Sequence, residues 1–90
     1  MDRILVSRKM AGRLTGLSDA NIRNRISRGR LVEGDALIGG ATGTVRKGIT
    51  LVSLVAYCGW SQMTVDDILV AHGVDPDSAG WHYLCERDEA

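Results

Sequence analysis

The sequence predicts a mainly α-helical fold with one small β-hairpin, and three observations lead to this prediction. Residues 11 to 31 form two short helical patterns separated by a tight turn. Two β-prone runs then flank a glycine-rich loop at residues 39 to 43. A third helical pattern over residues 51 to 58 is apolar on most of its circumference. Together these predict a winged helix-turn-helix, with the hairpin as its wing, followed by a C-terminal helical extension.

The first two helices are marked by local signals at their ends. The first is expected over about residues 8 to 15, and Gly16 supplies the left-handed conformation that a helix C-terminus favours. Ser18 is a good N-cap for the second helix. Ile22 and Ile26 are four residues apart, so they place one face of that helix against the core.

The opposite face of the second helix is polar and cationic. Arg and Asn side chains read guanine and adenine edges in the DNA major groove, and Arg, Ser and Asn also hold phosphates. The face therefore suits DNA recognition, although an ordinary solvated helix face has a similar composition. It carries Ala20, Asn24, Ser27 and Arg28, flanked by Asn21, Arg23 and Arg25.

Two cations open the first helix. Ser7 is the expected N-cap, so Arg8 and Lys9 fall in the first turn, where positive charge is unfavourable to the helix dipole. Their position indicates either phosphate contact or a pair of solvated charges.

The hairpin predicted after the second helix carries its own cations. Arg46 and Lys47 lie on the returning strand, where they are well placed for phosphates. The loop sequence GGATG resembles a phosphate-binding loop, but the lysine and the helix that should follow are missing, so nucleotide binding is not expected.

The third helix is expected to be the central core element. Thr50 is its N-cap, and Leu51, Leu54 and Val55 begin an i, i+3, i+4 apolar stripe. Gly59 ends it. The run Ile4-Leu5-Val6 is β-prone and is either an edge strand or core packing.

The chain divides into two predicted parts, a DNA-binding domain over residues 1–60 and an acidic extension over residues 61–90 that packs on the same core. In the extension, Thr64 and Asp67 resemble a capping box, and Gly73 ends the helix. Residues 76–85 fit either a helix or a strand, since Trp81 and Leu84 have helical spacing while the intervening residues are β-prone.

The neutral total charge conceals a steep gradient. Residues 1 to 30 carry eight Lys or Arg against two acids, a net of +6, and residues 61 to 90 carry one Arg against seven acids, a net of −6. Clustered positive charge is the electrostatic footprint of nucleic-acid binding. The acidic extension is expected to face away from DNA or to neutralise the basic face when no DNA is present. Its apolar side chains are expected either to contact a protein partner, a second copy of the chain first of all, or only to complete a core that is too small to stand alone.

Other classes of protein are not indicated. The sequence has neither a membrane-span-length apolar run nor a signal peptide, so a cytoplasmic location without membrane contact is expected. His72, His82, Cys58 and Cys85 have residue types that bind zinc, but their spacing lacks two tight pairs, and neither a metal nor another cofactor is expected. No local nucleophile signature or carboxylate pair indicates an enzyme.

The stretch AGRLTGLSDANIRNRISRGRL resembles the helix-turn-helix of excisionase-type and MerR-type winged-helix proteins. Gly12 and Arg25 depart from that pattern, which usually has Ala and an apolar residue at these positions. The wing and the third helix also resemble the DNA-binding domain of phage terminase small subunits. The resemblance covers about residues 5 to 60, and its matching positions are Ala11, Leu14, Gly16-Leu17-Ser18 and Gly29-Arg30-Leu31.

The resemblance implies a double-stranded-DNA-binding protein of a phage or other mobile element, either a transcription regulator or an excisionase-like architectural factor. A DNA-packaging or assembly adaptor that recruits a larger protein is the alternative, and a module whose basic face binds only protein is a third. The implied DNA-binding residues are Ser18, Asn21, Arg23, Asn24, Arg28, Arg46 and Lys47.

Overall fold

The computed structural model describes residues 3–38, 43–77 and 81–85, and in these ranges the chain forms a mixed α/β fold. Two pairs of helices are separated by a pair of strands, and both ends of the described chain contribute a further strand to the same sheet. The elements in order are β1 (Ile4–Val6), α1 (Arg8–Thr15), α2 (Asp19–Ser27), β2 (Glu33–Ile38), β3 (Thr44–Thr50), α3 (Leu51–Cys58), α4 (Gln62–Ala71) and β4 (His82–Leu84).

The sheet has four strands in the order β2-β3-β1-β4. β2 and β3 form an antiparallel hairpin whose register runs from Glu33 opposite Ile49 to Ile38 opposite Thr44. The two β-prone runs therefore pair as predicted, while residues 39–42 of the glycine-rich loop lie outside the described residues. β1 pairs antiparallel with β3 and parallel with β4. Leu5 on β1 lies opposite Thr50 on β3 and opposite Tyr83 on β4.

The predicted fold class, a mainly α winged helix-turn-helix with a small wing and a helical extension, is wrong. The described residues form a four-stranded mixed sheet packed with four helices. β1 is an inner strand rather than an edge strand, and residues 82–84, left open between helix and strand, form β4. Pairing between β1 and β4 joins residues at opposite ends of the chain, and no local sequence signal reports such a contact.

The core draws on both predicted parts of the chain. Val6, Ile22 and Leu54 have no exposed surface. Val65 and Leu84, from the acidic extension, belong to the same buried cluster. The extension therefore completes the core that the first 60 residues begin, because a chain of this length buries too little apolar surface to spare these residues.

The starts of the first three helices and the ends of α1 and α3 follow the sequence prediction. The hydroxyl oxygens of Ser7, Ser18 and Thr50 accept hydrogen bonds from backbone N–H groups in the first turns of α1, α2 and α3. Gly16 and Gly59 adopt the left-handed conformation, with φ of 77° and 69°, at the C-termini of α1 and α3.

The predicted start of the fourth helix is wrong by three residues. Ser61, rather than Thr64, is the N-cap of α4, and its hydroxyl oxygen accepts a hydrogen bond of 3.2 Å from the Thr64 backbone N–H. Ser61 and Thr64 are both good capping residues, so the sequence around them allows either start.

None of the helices in the described part of the chain is long and apolar enough to cross a membrane.

Candidate nucleic-acid interface

An open groove of about 1260 Å³ crosses the surface between the α1–α2 turn and the sheet. One wall comes from α1 and the turn, and the other comes from β3 and β4. We call it the basic groove; its lining residues are Ser7, Arg8, Lys9, Gly12, Arg13, Gly16, Leu17, Ser18, Asp19, Arg46, Lys47, Tyr83 and Cys85.

Positive charge dominates the lining of the basic groove. Arg8, Lys9 and Arg13 come from α1, and Arg46 and Lys47 come from β3, against the one carboxylate of Asp19. A concave surface of one charge sign focuses the electrostatic field and attracts ligands of the opposite sign. The basic groove is therefore expected to have a positive electrostatic potential, which favours the binding of an extended anion.

Two helices begin at the basic groove. Ser7 and Ser18, the N-caps of α1 and α2, both line it. Helix N-termini carry partial positive charge and backbone N–H groups without helical partners, which favours phosphates and other anions. The two helix starts thus add to the field of the five cationic side chains.

A carboxylate behind the lining holds two of the groove cations. Arg8 donates hydrogen bonds from Nε and Nη2 to Oε2 of Glu33, at 3.3 and 2.9 Å. Nζ of Lys47 lies 3.5 Å from Oε1 of the same carboxylate. Hydrogen bonding from Arg8 lowers the pKa of Glu33 below its ordinary value, and the charges of Arg8 and Lys47 act in the same direction. Glu33 thus links α1 to the hairpin across 25 residues of sequence.

An aromatic ring supports a third cation. The guanidinium carbon of Arg46 lies 5.7 Å from the centroid of the Tyr83 ring, within the range of a cation–π interaction. Tyr83 is half-buried on β4. Tyr83, near the far end of the chain, therefore contacts Arg46 within the groove lining.

The structure divides the predicted DNA-binding residues between two surfaces. Ser18, Arg46 and Lys47 line the basic groove together. The others lie on the exposed face of α2 or at its end, outside the groove lining but next to it along the helix. These others are Asn21, Arg23, Asn24 and Arg28.

Several polar side chains on α2 already have partners. Arg23 forms an exposed ion pair of 3.0 Å with Asp19. The amide oxygen of Asn24 accepts a hydrogen bond from Nη1 of Arg25, and Nε of Arg25 donates to the hydroxyl of Tyr57 on α3. Arg25 therefore attaches α2 to α3, which accounts for an arginine at a position expected to be apolar.

Sequence reasoning missed two residues of the groove. Arg13 is four residues after Lys9 on α1, so helical spacing could have placed both on one face. Tyr83 was not identifiable as a groove residue, because it reaches the groove only through the pairing of β4 with β1. Arg8 and Lys9, expected either to contact phosphate or to be solvated charges, both line the groove, and Arg8 is paired with Glu33.

The residue types that could bind a metal do not converge in the described part of the chain, where no group of three or more His, Cys, Asp or Glu lies close enough to hold an ion. Cys58 and Cys85 are both free thiols and half-buried. Burial raises the pKa of the Cys58 thiol, which makes it a weaker nucleophile at neutral pH.

Comparison of this chain with protein-family models, with curated proteins and with solved structures finds no match.

Proposed function

We propose that the chain binds double-stranded DNA, with the phosphate backbone in the basic groove and the exposed face of α2 against base edges. The observation that carries this proposal is the lining of the groove, which holds five cations against one acid and includes the N-cap residues of two helices. Duplex DNA is a rigid polyanion, and neutralisation of its phosphates by Lys and Arg releases condensed counterions and provides most of the non-specific affinity.

The exposed face of α2 supplies the sequence-specific part of the proposal. Asn24 and Arg28 are exposed on α2 or at its end. Asn pairs with adenine and Arg with guanine through two hydrogen bonds each, and both groups reach base edges in the major groove. The amide oxygen of Asn24 already accepts a hydrogen bond from Arg25 and has a second lone pair for a base edge. The resemblance of residues 11–31 to excisionase-type and MerR-type helix-turn-helix sequences supports a proposed role as a cytoplasmic DNA-binding regulator or an excisionase-like architectural factor of a phage or other mobile element.

A DNA-packaging or assembly adaptor is the second candidate, and α4 favours it. Met63 and Val70 are 75% and 66% exposed and lie seven residues apart, on one face of the helix. Large contiguous apolar patches mark protein contacts, and in this alternative the two side chains form part of such a surface. In this alternative the basic groove holds DNA while α4 binds a larger protein or a second copy of the chain.

A salt titration of DNA binding tests the proposal. Fluorescence anisotropy with a 20-bp duplex of random sequence would be measured from 50 to 200 mM salt for the wild type, Arg46→Ala and Arg30→Ala. Arg30 is a matched control, because it is an exposed arginine in a separate hollow beside Val52. We expect Arg46→Ala to weaken binding and to reduce the salt slope by about 0.9, as loss of one phosphate contact should. Arg30→Ala should leave the slope unchanged.

The outcomes separate the candidate functions. Equal effects of the two arginine variants would show that the basic groove does not hold the duplex, and no binding at any salt would favour a module that binds only protein. If the chain is an adaptor, Met63→Ser should abolish self-association or partner binding, as measured by light scattering. The DNA affinity of this variant should equal that of the wild type. If Asn24→Ala and Arg28→Ala weaken binding to a selected site by about 1–3 kcal/mol each, α2 reads bases.

A further inference from the structure

Glu33 is the carboxylate that contacts two cations of the basic groove from behind its lining. The Glu33 side chain is 17% exposed, whereas those of Arg8 and Lys47 are 41% and 63% exposed. A ligand that enters the groove therefore meets the cations before the carboxylate. Glu33 is held from two sides, because α1 supplies Arg8 and β3 supplies Lys47.

The contact between Arg8 and Glu33 uses the donors that a phosphate would use. Both Nε and Nη2 of Arg8 point to one carboxylate oxygen, and the fork of a guanidinium binds carboxylate and phosphate with the same geometry. A phosphate that takes full advantage of Arg8 must displace Glu33 or share its donors. Lys47 is subject to the same competition at Oε1.

We propose that Glu33 is a specificity-determining residue that competes with DNA phosphates for Arg8 and Lys47. By occupying two groove cations, it lowers the affinity for every duplex, whatever the sequence. When non-specific affinity is lower, contacts with base edges provide a larger part of the binding free energy, and the protein distinguishes its target site from other sequences more strongly. This inference rests on the proposed DNA-binding function and adds a residue that limits it.

Two substitutions that remove the same charge from the same strand separate competition from bulk electrostatics. Glu33→Gln releases the two cations, whereas Asp35→Asn is the matched control. Asp35 is exposed on β2, two residues further along, and the strand register places it opposite Lys47. Its side chain makes neither a hydrogen bond nor an ion pair within the described residues, so it lies near a groove cation without holding one. Both variants raise the net charge by one. Binding to a 20-bp random duplex would be measured at 50 and 200 mM salt, and thermal unfolding without DNA would confirm that each variant folds.

The proposal predicts tighter binding by Glu33→Gln than by Asp35→Asn. Each cation released to a phosphate should steepen the salt slope by about 0.9, so the gain of Glu33→Gln over wild type should be about 3.5-fold larger at 50 than at 200 mM per cation. The excess over Asp35→Asn should vanish when Arg8 and Lys47 are both replaced by alanine. Equal gains from the two single variants, or weaker binding by Glu33→Gln than by wild type, would overturn the proposal.

Glu33→Asp provides a test at constant charge, and it also serves if Glu33→Gln does not fold. The shorter side chain withdraws the carboxylate from the two cations, so affinity should rise although the net charge is unchanged. Unchanged or weaker binding by Glu33→Asp would contradict competition. Absence of duplex binding in every variant, with all of them folded, would instead overturn the proposed DNA-binding function and the role of Glu33 with it.

Discussion

Gly48 lies where β3 comes closest to its neighbours. A Cβ atom at this position would stand 2.7 Å from the backbone oxygen of Val6 and 3.2 Å from the ring of Tyr83. The backbone of β1 cannot move away without disturbing the sheet, so only glycine fits. The missing side chain lets Tyr83 lie against β3, close to the groove cation Arg46.

We expect Gly48→Ala to lower the free energy of unfolding by about 1–3 kcal/mol, the usual range for overpacking. Gly34→Ala is the matched control, because its nearest neighbour would be a side-chain methyl of Leu5 at 3.4 Å, an ordinary contact. Urea denaturation followed by circular dichroism would measure both variants. A Gly48→Ala protein as stable as the Gly34→Ala protein would contradict this account of the packing.

Glu33 should also give the stability a pH dependence. Its pKa is lowered below its ordinary 4.5 in the folded chain, mainly by hydrogen bonding from Arg8. The ionised form therefore stabilises the fold at pH values above that ordinary pKa, and the contribution is lost as pH falls through the lower, folded-state pKa. We expect the stability difference between the wild type and Glu33→Gln to shrink as pH falls through the acidic range. A difference that is independent of pH in urea titrations would contradict the ion pair.

At the scale of elements, Ser18 has two functions at the start of α2. Its hydroxyl oxygen caps the helix by accepting a 3.2 Å hydrogen bond from the Asn21 backbone N–H, and the same residue lines the basic groove. Ser18 was predicted to contact DNA. In the structure one lone pair of its hydroxyl oxygen accepts the capping hydrogen bond, while the hydroxyl proton can still be donated to a phosphate. Stability and binding can therefore be separated at this position.

Ser18→Asp keeps a capping acceptor but adds a negative charge to the groove, whereas Ser18→Ala loses the cap. We expect Ser18→Ala to cost about 1 kcal/mol of stability, in the range for lost N-caps. Ser18→Asp should keep the stability of the wild type and weaken duplex binding, because its carboxylate faces the phosphates. Thermal unfolding and anisotropy together would measure this, and full DNA affinity in Ser18→Asp would place the phosphates elsewhere.

The elements that the sequence predicted best are those defined by neighbouring residues. Ser7, Ser18 and Thr50 cap helices through hydrogen bonds spanning three residues, and such contacts are visible in a local pattern. Thr64 shows the limit of this approach, because Ser61 offers an equally good cap three residues earlier. Gly12 stands where the resembling helix-turn-helix pattern usually has alanine. A Cβ atom at this position would lie 2.9 Å from the backbone oxygen of Leu17, so the turn between α1 and α2 excludes alanine.

At the scale of the whole molecule, the sheet and the groove depend on contacts between distant residues. β1 is three residues long and acquires its central position only because β3 and β4 flank it. The register that places Leu5 opposite Tyr83, and the ion pair between Arg8 and Glu33, join residues far apart in sequence. The sequence predicted the cations of the hairpin but could not predict which α1 residues face them.

The acidic extension should be essential for folding. Removal of residues 61–90 takes Val65, Leu69 and Leu84 out of the core and leaves β1 without its parallel partner. We therefore expect a fragment of residues 1–60 to lack a cooperative unfolding transition by circular dichroism. A folded fragment that binds DNA but no longer self-associates would contradict this expectation and would give the extension a role in interaction alone.

The claim that the basic groove holds duplex DNA is tested most directly by mapping the duplex onto the chain. Amide chemical shifts of the ¹⁵N-labelled protein would be followed as a 20-bp duplex is added. The account predicts that the largest shift changes fall on the N-terminal half of α1, on residues 16–19, on the exposed face of α2 and on Arg46 and Lys47, with α4 unaffected. Changes concentrated on α4, or none on the groove residues at saturating DNA, would contradict it.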